Sequence, residues 1–252
     1  MTEVRVELPQ GCMGVQPKTV RGPCACGVDI RPGSWDIICA DVLMAPSGIH
    51  VVRPLFIGKV RDEQDVLFVM QQYKVRVGVA DTRPETTLAK RLQGAARDKG
   101  IEVWRAEYNT SPGAIDIQAN ESEMVLKLDR TMTLDNVHYA FTTGLTVVLP
   151  QNFKEITGGQ FAREMIASQR VPTRWMGKDC YMWENRGADH SFHAFNYLLA
   201  AIKKGNLIAF GGAATMGPSL GMVESSQPKN VKRDLWNELE PVDGEGQIVL
   251  EA

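Results

Sequence analysis

Three aspartates lie where the sequence passes from one predicted element to the next. Asp29 ends a short apolar run, Asp81 directly follows a β-branched run, and Asp189 starts an amphipathic segment. In open α/β sheets, reactive groups collect at the carboxyl ends of parallel strands, and a docked helix can bring its first turn to the same edge. We therefore expect the three carboxylates to meet at one place.

Three converging carboxylates indicate a metal centre, because their mutual repulsion costs several kcal/mol unless a cation compensates it. Carboxylate oxygens suit Mg²⁺ or Mn²⁺. Two such ions about 3.5–4 Å apart can hold both sides of a phosphoryl displacement, one activating water and the other stabilising the leaving 3′ oxygen. The hypothesis is phosphodiester hydrolysis at two ions, with Asp29, Asp81 and Asp189 as catalytic, metal-binding residues.

Each aspartate taken alone also has a purely structural explanation. Asp29 precedes a turn that starts at Arg31, Asp81 precedes a helix opened by Pro84, and Asp189 suits a helix N-cap. The joint placement of all three at strand and helix ends favours the metal site.

Other residues near the third aspartate suggest supporting roles. His193 lies one turn after Asp189 on the same helix face, so it is either a further metal ligand or a histidine satisfied by hydrogen bonding. We expect His190 and Glu184 to support the site. Phosphate contacts are candidates at Arg83, Arg130 and Lys59, with a solvated surface charge as the alternative for each.

Composition is that of an ordinary globular protein. The chain has 252 residues, 44% of them hydrophobic, and a net charge of −2, which neither indicates nor excludes nucleic-acid binding. The five cysteines form no zinc pattern, and we expect them to be reduced, inside a cell. No apolar run approaches the roughly 20 residues of a membrane span, so no membrane partner is expected.

Hydrophobic periodicity predicts an α/β domain. An antiparallel three-strand meander is followed by βαβ crossovers in the order β-β-β-α-β-α-β. The predicted strands are 24–30, 35–44, 49–57, 75–80, 101–108, 124–130, 145–149 and 180–184; the predicted helices are 61–73, 84–100, 134–141, 160–168 and 188–203. The interval 109–120 is predicted as a loop.

Domain boundaries follow from composition. Residues 1–22 are predicted to be a linker, 23–204 the folded domain, and 205–252 a flexible C-terminal tail rich in Gly, Pro, Ser and Asn.

Three motifs carry a resemblance to a known family. Gly27-Val-Asp-Ile, Val77-Gly-Val-Ala-Asp-Thr-Arg-Pro-Glu and Asp189-His-Ser-Phe-His-Ala-Phe-Asn-Tyr, in that order and spacing, resemble the C-terminal nuclease domain of tailed-phage large terminase subunits. Lys127-Leu-Asp-Arg-Thr and residues 144–150 are also similar, so the likeness spans roughly residues 24–203. It implies a ribonuclease H-like mixed sheet, a meander plus parallel strands, flanked by helices.

The resemblance implies an endonuclease that cuts concatemeric viral DNA during genome packaging, in the cytoplasm of an infected bacterium. Its implied partners are double-stranded DNA, an N-terminal ATPase portion of the same polypeptide, the portal and the small terminase subunit. His193 occupies a position where related sequences often have an acid, which leaves open whether Asp189 or His193 is the inner ligand. No Gly-x-x-x-x-Gly-Lys-Ser/Thr loop is present, so we expect this to be the nuclease portion of a longer chain.

Two alternatives to a packaging endonuclease remain open. One is a catalytically silent ribonuclease H-like module that holds DNA or serves assembly, which His193 in place of an acid keeps open. The other is a different ribonuclease H-like nuclease, of the resolvase or transposase type.

Overall fold

The computed structural model describes residues 13–14, 20–44, 50–109, 116–142, 146–149, 153–175 and 177–207. Most of the predicted linker 1–22 and nearly all of the predicted tail 205–252 lie outside these residues, so both assignments stay predictions.

A mixed β-sheet forms the centre of the domain. The strands are β1 (Met13–Gly14), β2 (Cys24–Arg31), β3 (Ser34–Met44), β4 (His50–Val60), β5 (Val75–Asp81), β6 (Glu102–Asn109), β7 (Ile117–Asn120), β8 (Val125–Asp129) and β9 (Thr146–Val147). They run in the order β1-β4-β3-β2-β5-β6-β8-β7, with β9 paired to β4. Pairing is antiparallel within β2–β3–β4 and parallel from β2 through β5 and β6 to β8.

Helices cover both faces of this sheet. The helices are α1 (Glu63–Gln72), α2 (Thr86–Arg97), α3 (Arg130–Thr142), α4 (Phe153–Ile156), α5 (Gln160–Met165) and α6 (His190–Lys204). Strand residues of one face pack with α3, α5 and α6 in one apolar cluster, and those of the opposite face pack with α1 and α2 in another. A meander joined to parallel strands and flanked by helices is the predicted ribonuclease H-like fold, which is confirmed.

A separate β-hairpin precedes α6. It consists of β10 (Ser168–Trp175) and β11 (Lys178–Asn185), paired in register from Ser168↔Asn185 to Trp175↔Lys178. The prediction of a helix over 160–168 was wrong at its end, because α5 stops at Met165 and Ser168 already belongs to β10. The predicted strand 180–184 is the central part of β11.

Three further boundaries differ from prediction. Helix α3 begins four residues before 134, because the Asp129 carboxylate accepts from Met132 N and the Thr133 hydroxyl donates to the Asp129 carbonyl. Strand β7 lies inside the predicted loop 109–120, since its four residues are too few to show a sustained alternation, yet they pair with β8. Helix α2 begins at Thr86 rather than Pro84, and the Thr86 hydroxyl donates to the Thr82 carbonyl.

Gly27 lets α6 lie in direct contact with the backbone of β2. A Cβ at Gly27 would come within 2.0 Å of the Ala194 carbonyl oxygen and 2.2 Å of Leu198 N. Real Cβ atoms do not approach other atoms so closely, so only glycine permits this packing. The crossing places the first turn of α6 over the end of β2, where Asp29 lies two residues after Gly27.

No helix in the described part of the chain combines the length and apolar character that a membrane span requires.

Substitution of Gly27 by alanine tests this close packing. We expect Gly27→Ala to lower the free energy of unfolding by at least ~2–3 kcal/mol, because α6 must move away from β2. Gly94→Ala is the control, since Gly94 is an exposed residue of α2 and a methyl group added there would meet nothing within 4 Å. Alanine at that helical position should stabilise by up to ~1 kcal/mol. Urea unfolding measures both; an unchanged stability of Gly27→Ala would contradict the packing.

Candidate functional site

Asp29 and Asp81 lie next to each other at the carboxyl edge of the sheet. Strands β2 and β5 are parallel neighbours with Val28 paired to Ala80, so the following aspartates share one edge and one face. That face is the one covered by α6, because Gly27 touches α6 and Val79 belongs to the same apolar cluster as the helix. The sequence predicts that the first and fourth predicted strands, 24–30 and 75–80, bring these two acids together, and the pairing of β2 with β5 is consistent with that prediction.

The electrostatics of this pair are only partly compensated. Burial, followed by the neighbouring charge of Asp29, raises the pKa of Asp81 from 3.8 to about 6. The Arg83 backbone N–H, the His193 ring and the Tyr197 hydroxyl act in the opposite direction, and the Arg83 N–H donates to Asp81 Oδ1 at 3.3 Å. The net shift is upward, so the protein supplies less positive potential than two adjacent carboxylates require.

His190, the first residue of α6, contacts the other carboxylate. Its Nδ1 lies 2.9 Å from Asp29 Oδ2. This hydrogen bond is the main cause of the raised pKa of His190. The predicted supporting role of His190 therefore has a direct geometric basis in a bond to Asp29.

Asp189 is buried and its two carboxylate oxygens are engaged by the hairpin. Ser168 Oγ donates to Oδ2 at 2.7 Å and Asn185 Nδ2 donates to Oδ1 at 3.0 Å, while His193 Nε2 lies 3.3 Å from Oδ2. These bonds outweigh the effect of burial and lower the pKa of Asp189. Asp189 occupies the N-cap position of α6, as one alternative expected, but its side chain makes no capping hydrogen bond.

His193 lies between Asp189 and the end of β6. Its Nδ1 is 2.6 Å from the hydroxyl of Tyr108, which is a partly buried residue. Tyr197, one turn further along α6, hydrogen bonds to both Tyr108 and Asp81. A chain of hydrogen bonds thus connects the carboxylate of Asp81 to the ring of His193.

The first turn of α6 is held by a buried glutamate from α5. Glu164 Oε2 accepts from Ser191 N at 2.8 Å and from Ser191 Oγ at 2.7 Å. Lys59, a predicted phosphate contact, directs its ammonium to Glu164 Oε1 at 3.4 Å and Asp36 Oδ1 at 3.6 Å. Lys59 therefore already compensates two buried acids in the fold.

The remaining predicted site residues lie around this centre. Arg83 is exposed and lies two residues after Asp81. Arg130 donates to the Trp183 carbonyl at 3.0 Å, and its guanidinium lies 5.9 Å from the centroid of the Tyr108 ring. Glu184 is exposed on β11 and pairs with Arg186 at 3.0 Å. Their predicted roles stay predictions.

The carboxylate pair fits a divalent cation better than the full predicted set does. Within the described ranges, no three His, Cys, Asp or Glu side chains are already grouped as a metal site. Asp29 and Asp81 nevertheless offer hard oxygen ligands, and the pKa of Asp81 is raised first by burial and then by the charge of Asp29, two effects that a bound cation would offset. Asp189 and His193 each face protein partners instead.

Comparison with known proteins gives only distant similarity. No protein-family model matches the chain, and no curated protein matches it. Among solved structures, Thermus thermophilus RuvC is similar with 12% identity and a TM-score of 0.36, covering 73% of this chain and 97% of that chain. T. thermophilus RuvC in complex with Holliday junction substrate matches over the same shares with 12% identity and a TM-score of 0.34. So distant a likeness assigns no function.

Several polar residues of the site were not predicted from the sequence. Asn196 and Tyr197 lie three and four residues after His193, so the helical spacing that linked His193 to Asp189 also points to them. Tyr108 comes near the carboxyl end of β6, the strand beside β5, and the rule that found Asp81 applies to it. Ser168 and Asn185 carry no such signal, because their place depends on a hairpin that was only half predicted.

The raised pKa of Asp81 predicts a pH-dependent stability. The pKa of Asp81 in the folded protein lies above its ordinary value. Its protonated form therefore contributes to the free energy of unfolding fully below about pH 4, and this contribution is lost as the pH rises through about 6. Asp81→Asn avoids this loss, so the variant should gain on the wild type by ~1–3 kcal/mol between pH 4 and pH 7.

Urea unfolding over this pH range measures the effect. Asp98→Asn is the control, because Asp98 is an exposed carboxylate at the end of α2. A stability difference between Asp81→Asn and wild type that stays constant with pH would contradict the assigned environment of Asp81.

Proposed function

We propose that the chain is a divalent-metal-dependent nuclease that hydrolyses phosphodiester bonds in DNA. The observation that carries the proposal is the pair Asp29–Asp81, two carboxylates at the carboxyl edge of a ribonuclease H-like sheet with too little positive charge around them. Two hard acids at such an edge are a poor arrangement for a structural core and a good one for Mg²⁺ or Mn²⁺.

Asp29 and Asp81 are the residues that would hold the metal. When bound, one or two such ions lower the pKa of an attacking water and stabilise the leaving 3′ oxygen. His190 fixes the orientation of Asp29 through its Nδ1. Tyr197 and the Arg83 amide orient Asp81. Asp189 and His193 are the other two predicted ligands. Asp189 is hydrogen bonded to the hairpin, and His193 is hydrogen bonded to Tyr108 of β6.

The hairpin β10–β11 offers a surface for DNA beside this centre. The Arg170 guanidinium lies 4.4 Å from the centroid of the Tyr181 ring, and Tyr181 is 45% exposed. Exposed aromatic rings beside arginine are groups on which bases stack. The hairpin is fixed to α3, because Trp183 Nε1 donates to Asp135 Oδ1 and Arg170 pairs with Asp135. Arg83 and Arg130 are further candidates for phosphate contacts.

The finer assignment follows the motif resemblance. We take the substrate to be concatemeric viral DNA, cut during genome packaging in the infected bacterium, with an ATPase portion of the same polypeptide, the portal and the small terminase subunit as partners. The order and spacing of the three motifs support this assignment over a resolvase or transposase.

One observation favours a second candidate, the catalytically silent module. Asp189 and His193 are both satisfied by protein groups, which leaves two acids rather than three free to face a cation. Such a module would hold DNA without cleaving it.

Cleavage of supercoiled plasmid separates the two candidates. With Mn²⁺ or Mg²⁺ we expect nicking and linearisation that chelator abolishes, and at least a ~100-fold loss of rate in Asp29→Asn and in Asp81→Asn. Asp98→Asn, which removes an exposed carboxylate on α2, should cleave like the wild type. Cleavage that persists in both Asp29→Asn and Asp81→Asn would contradict the assignment of these residues as metal ligands. Metal-independent DNA binding without cleavage by any form would favour the silent module.

Substitutions on the hairpin test the DNA surface. In chelator, fluorescence anisotropy with labelled DNA should show binding ~5–100-fold weaker for Tyr181→Ala, since base stacking contributes ~1–3 kcal/mol per base. Arg170→Ala should reduce the salt dependence by about one phosphate contact. Tyr139→Ala removes another exposed tyrosine, on α3, and should bind like the wild type. Equal effects of Tyr181→Ala and Tyr139→Ala would contradict a specific role for the hairpin.

A further inference from the structure

The first turn of α6 is capped by a residue of another helix. Its own N-cap residue, Asp189, makes no capping hydrogen bond, and its oxygens accept from Ser168 and Asn185 of the hairpin instead. An N-cap side chain ordinarily accepts from the second or third amide of its helix. Here the second amide, Ser191 N, donates to Glu164 Oε2 at 2.8 Å, and the Ser191 hydroxyl donates to the same oxygen at 2.7 Å.

Glu164 is itself held in place within α5. Phe161, three residues before it, belongs to the same apolar cluster as the buried face of α6. The second oxygen, Oε1, accepts from Gln160 Nε2 and lies 3.4 Å from Lys59 Nζ. Burial would raise the pKa of Glu164, but its hydrogen bonds, those from Ser191 foremost, lower this pKa below the ordinary value. A fixed anion is favourable at a helix N-terminus, where the first N–H groups have no partner within the helix.

The capped turn brings His190 to Asp29. His190 directly precedes Ser191, so an amide fixed at Ser191 also fixes the backbone from which the His190 ring extends. The Nδ1 atom of that ring lies 2.9 Å from Asp29 Oδ2. The direction of the Asp29 carboxylate therefore depends on where the first turn of α6 is held.

We infer that Glu164 is a positioning residue: by capping α6 it holds the His190 ring on the carboxylate of Asp29. Asp189 is released from the capping role and joins the helix to the hairpin. Hydrogen-bond partners one step removed from a metal typically contribute about 10–100-fold to its affinity. The effect on metal binding rests on the proposed function; the contact between His190 and Asp29 does not.

Two substitutions separate capping from charge compensation. Glu164→Gln keeps the shape but replaces one acceptor oxygen by an NH₂ group, so it cannot accept at both ends. Glu164→Asp keeps the negative charge beside Lys59 but is one methylene too short to reach Ser191. In crystals of the metal-free full chain, both should separate His190 Nδ1 from Asp29 Oδ2 beyond hydrogen-bond distance, about 3.2 Å, whereas the wild type keeps the contact. Calorimetry should show at least ~10-fold weaker Mn²⁺ binding by both.

Asp41→Asn is the matched control. Asp41 is likewise a fully buried carboxylate and is paired with Arg53. It lies on β3 five residues after Asp36, the partner of Asp29 in the register of β2 and β3, and thus about 17 Å along the strand. This variant should be less stable, as the Glu164 variants are, yet it should leave the Nδ1–Oδ2 distance and the Mn²⁺ affinity unchanged.

Three results would overturn the inference. They are an unchanged contact between His190 and Asp29 in both Glu164 variants, a loss of Mn²⁺ affinity in Asp41→Asn as large as in those variants, and a contact fully retained in Glu164→Asp. The last would mean that Glu164 supplies charge rather than a cap, and it decides the matter if Glu164→Gln does not fold. A wild type that binds no Mn²⁺, while the contact is lost in the variants, would refute the proposed function and keep the role of Glu164.

Discussion

The placement of two acids, Asp29 and Asp81, side by side in a poorly solvated edge of the sheet is the constraint on which the rest of the site depends. The parallel pairing of β2 with β5 places the two carboxylates side by side, and α6 covers them at the point where Gly27 lets the helix touch the strand. The His190 ring hydrogen bonds to Asp29, and the Tyr197 hydroxyl and the Arg83 backbone amide hydrogen bond to Asp81. The pKa of Asp81 still stays raised. This unfavourable environment of Asp81 is the basis of the metal site proposed above.

The position of α6 relative to the sheet determines where His190, His193 and Asp189 lie with respect to the two strand-end carboxylates. Its first turn is held from α5 by Glu164, which accepts two hydrogen bonds from Ser191 and is compensated by Lys59. The hairpin holds the residue just before the helix, through Ser168 and Asn185 on Asp189. The hairpin is therefore joined by a short path of hydrogen bonds to His193 and to the edge of the sheet that carries Asp29 and Asp81.

The sequence was sufficient for the strands β2 to β6 and for the place of the two strand-end acids in them, because long apolar and β-branched runs such as 75–80 leave little ambiguity. It also placed α6, whose apolar face is strongly periodic. It failed where structure depends on distant partners. The hairpin strand β10 contains Arg170, Pro172 and Arg174 and has no clear alternation, and β7 has only four residues, too few for a sustained pattern.

Side-chain directions were the other limit of sequence reasoning. Spacing put Asp189 and His193 on one helix face but could not show that Ser168, Asn185 and Tyr108 would engage them, since those residues come from the hairpin and β6. The same uncertainty applied to Lys59, whose internal partners Asp36 and Glu164 are far apart in sequence. Contacts between elements, rather than the elements themselves, decide the roles here.

Anomalous diffraction from crystals soaked in Mn²⁺ tests the central claim most directly. The account predicts an anomalous peak bonded to carboxylate oxygens of both Asp29 and Asp81, which is lost in crystals of Asp81→Asn. A manganese ion bound elsewhere, or a peak at this edge that persists unchanged in Asp81→Asn, would contradict it.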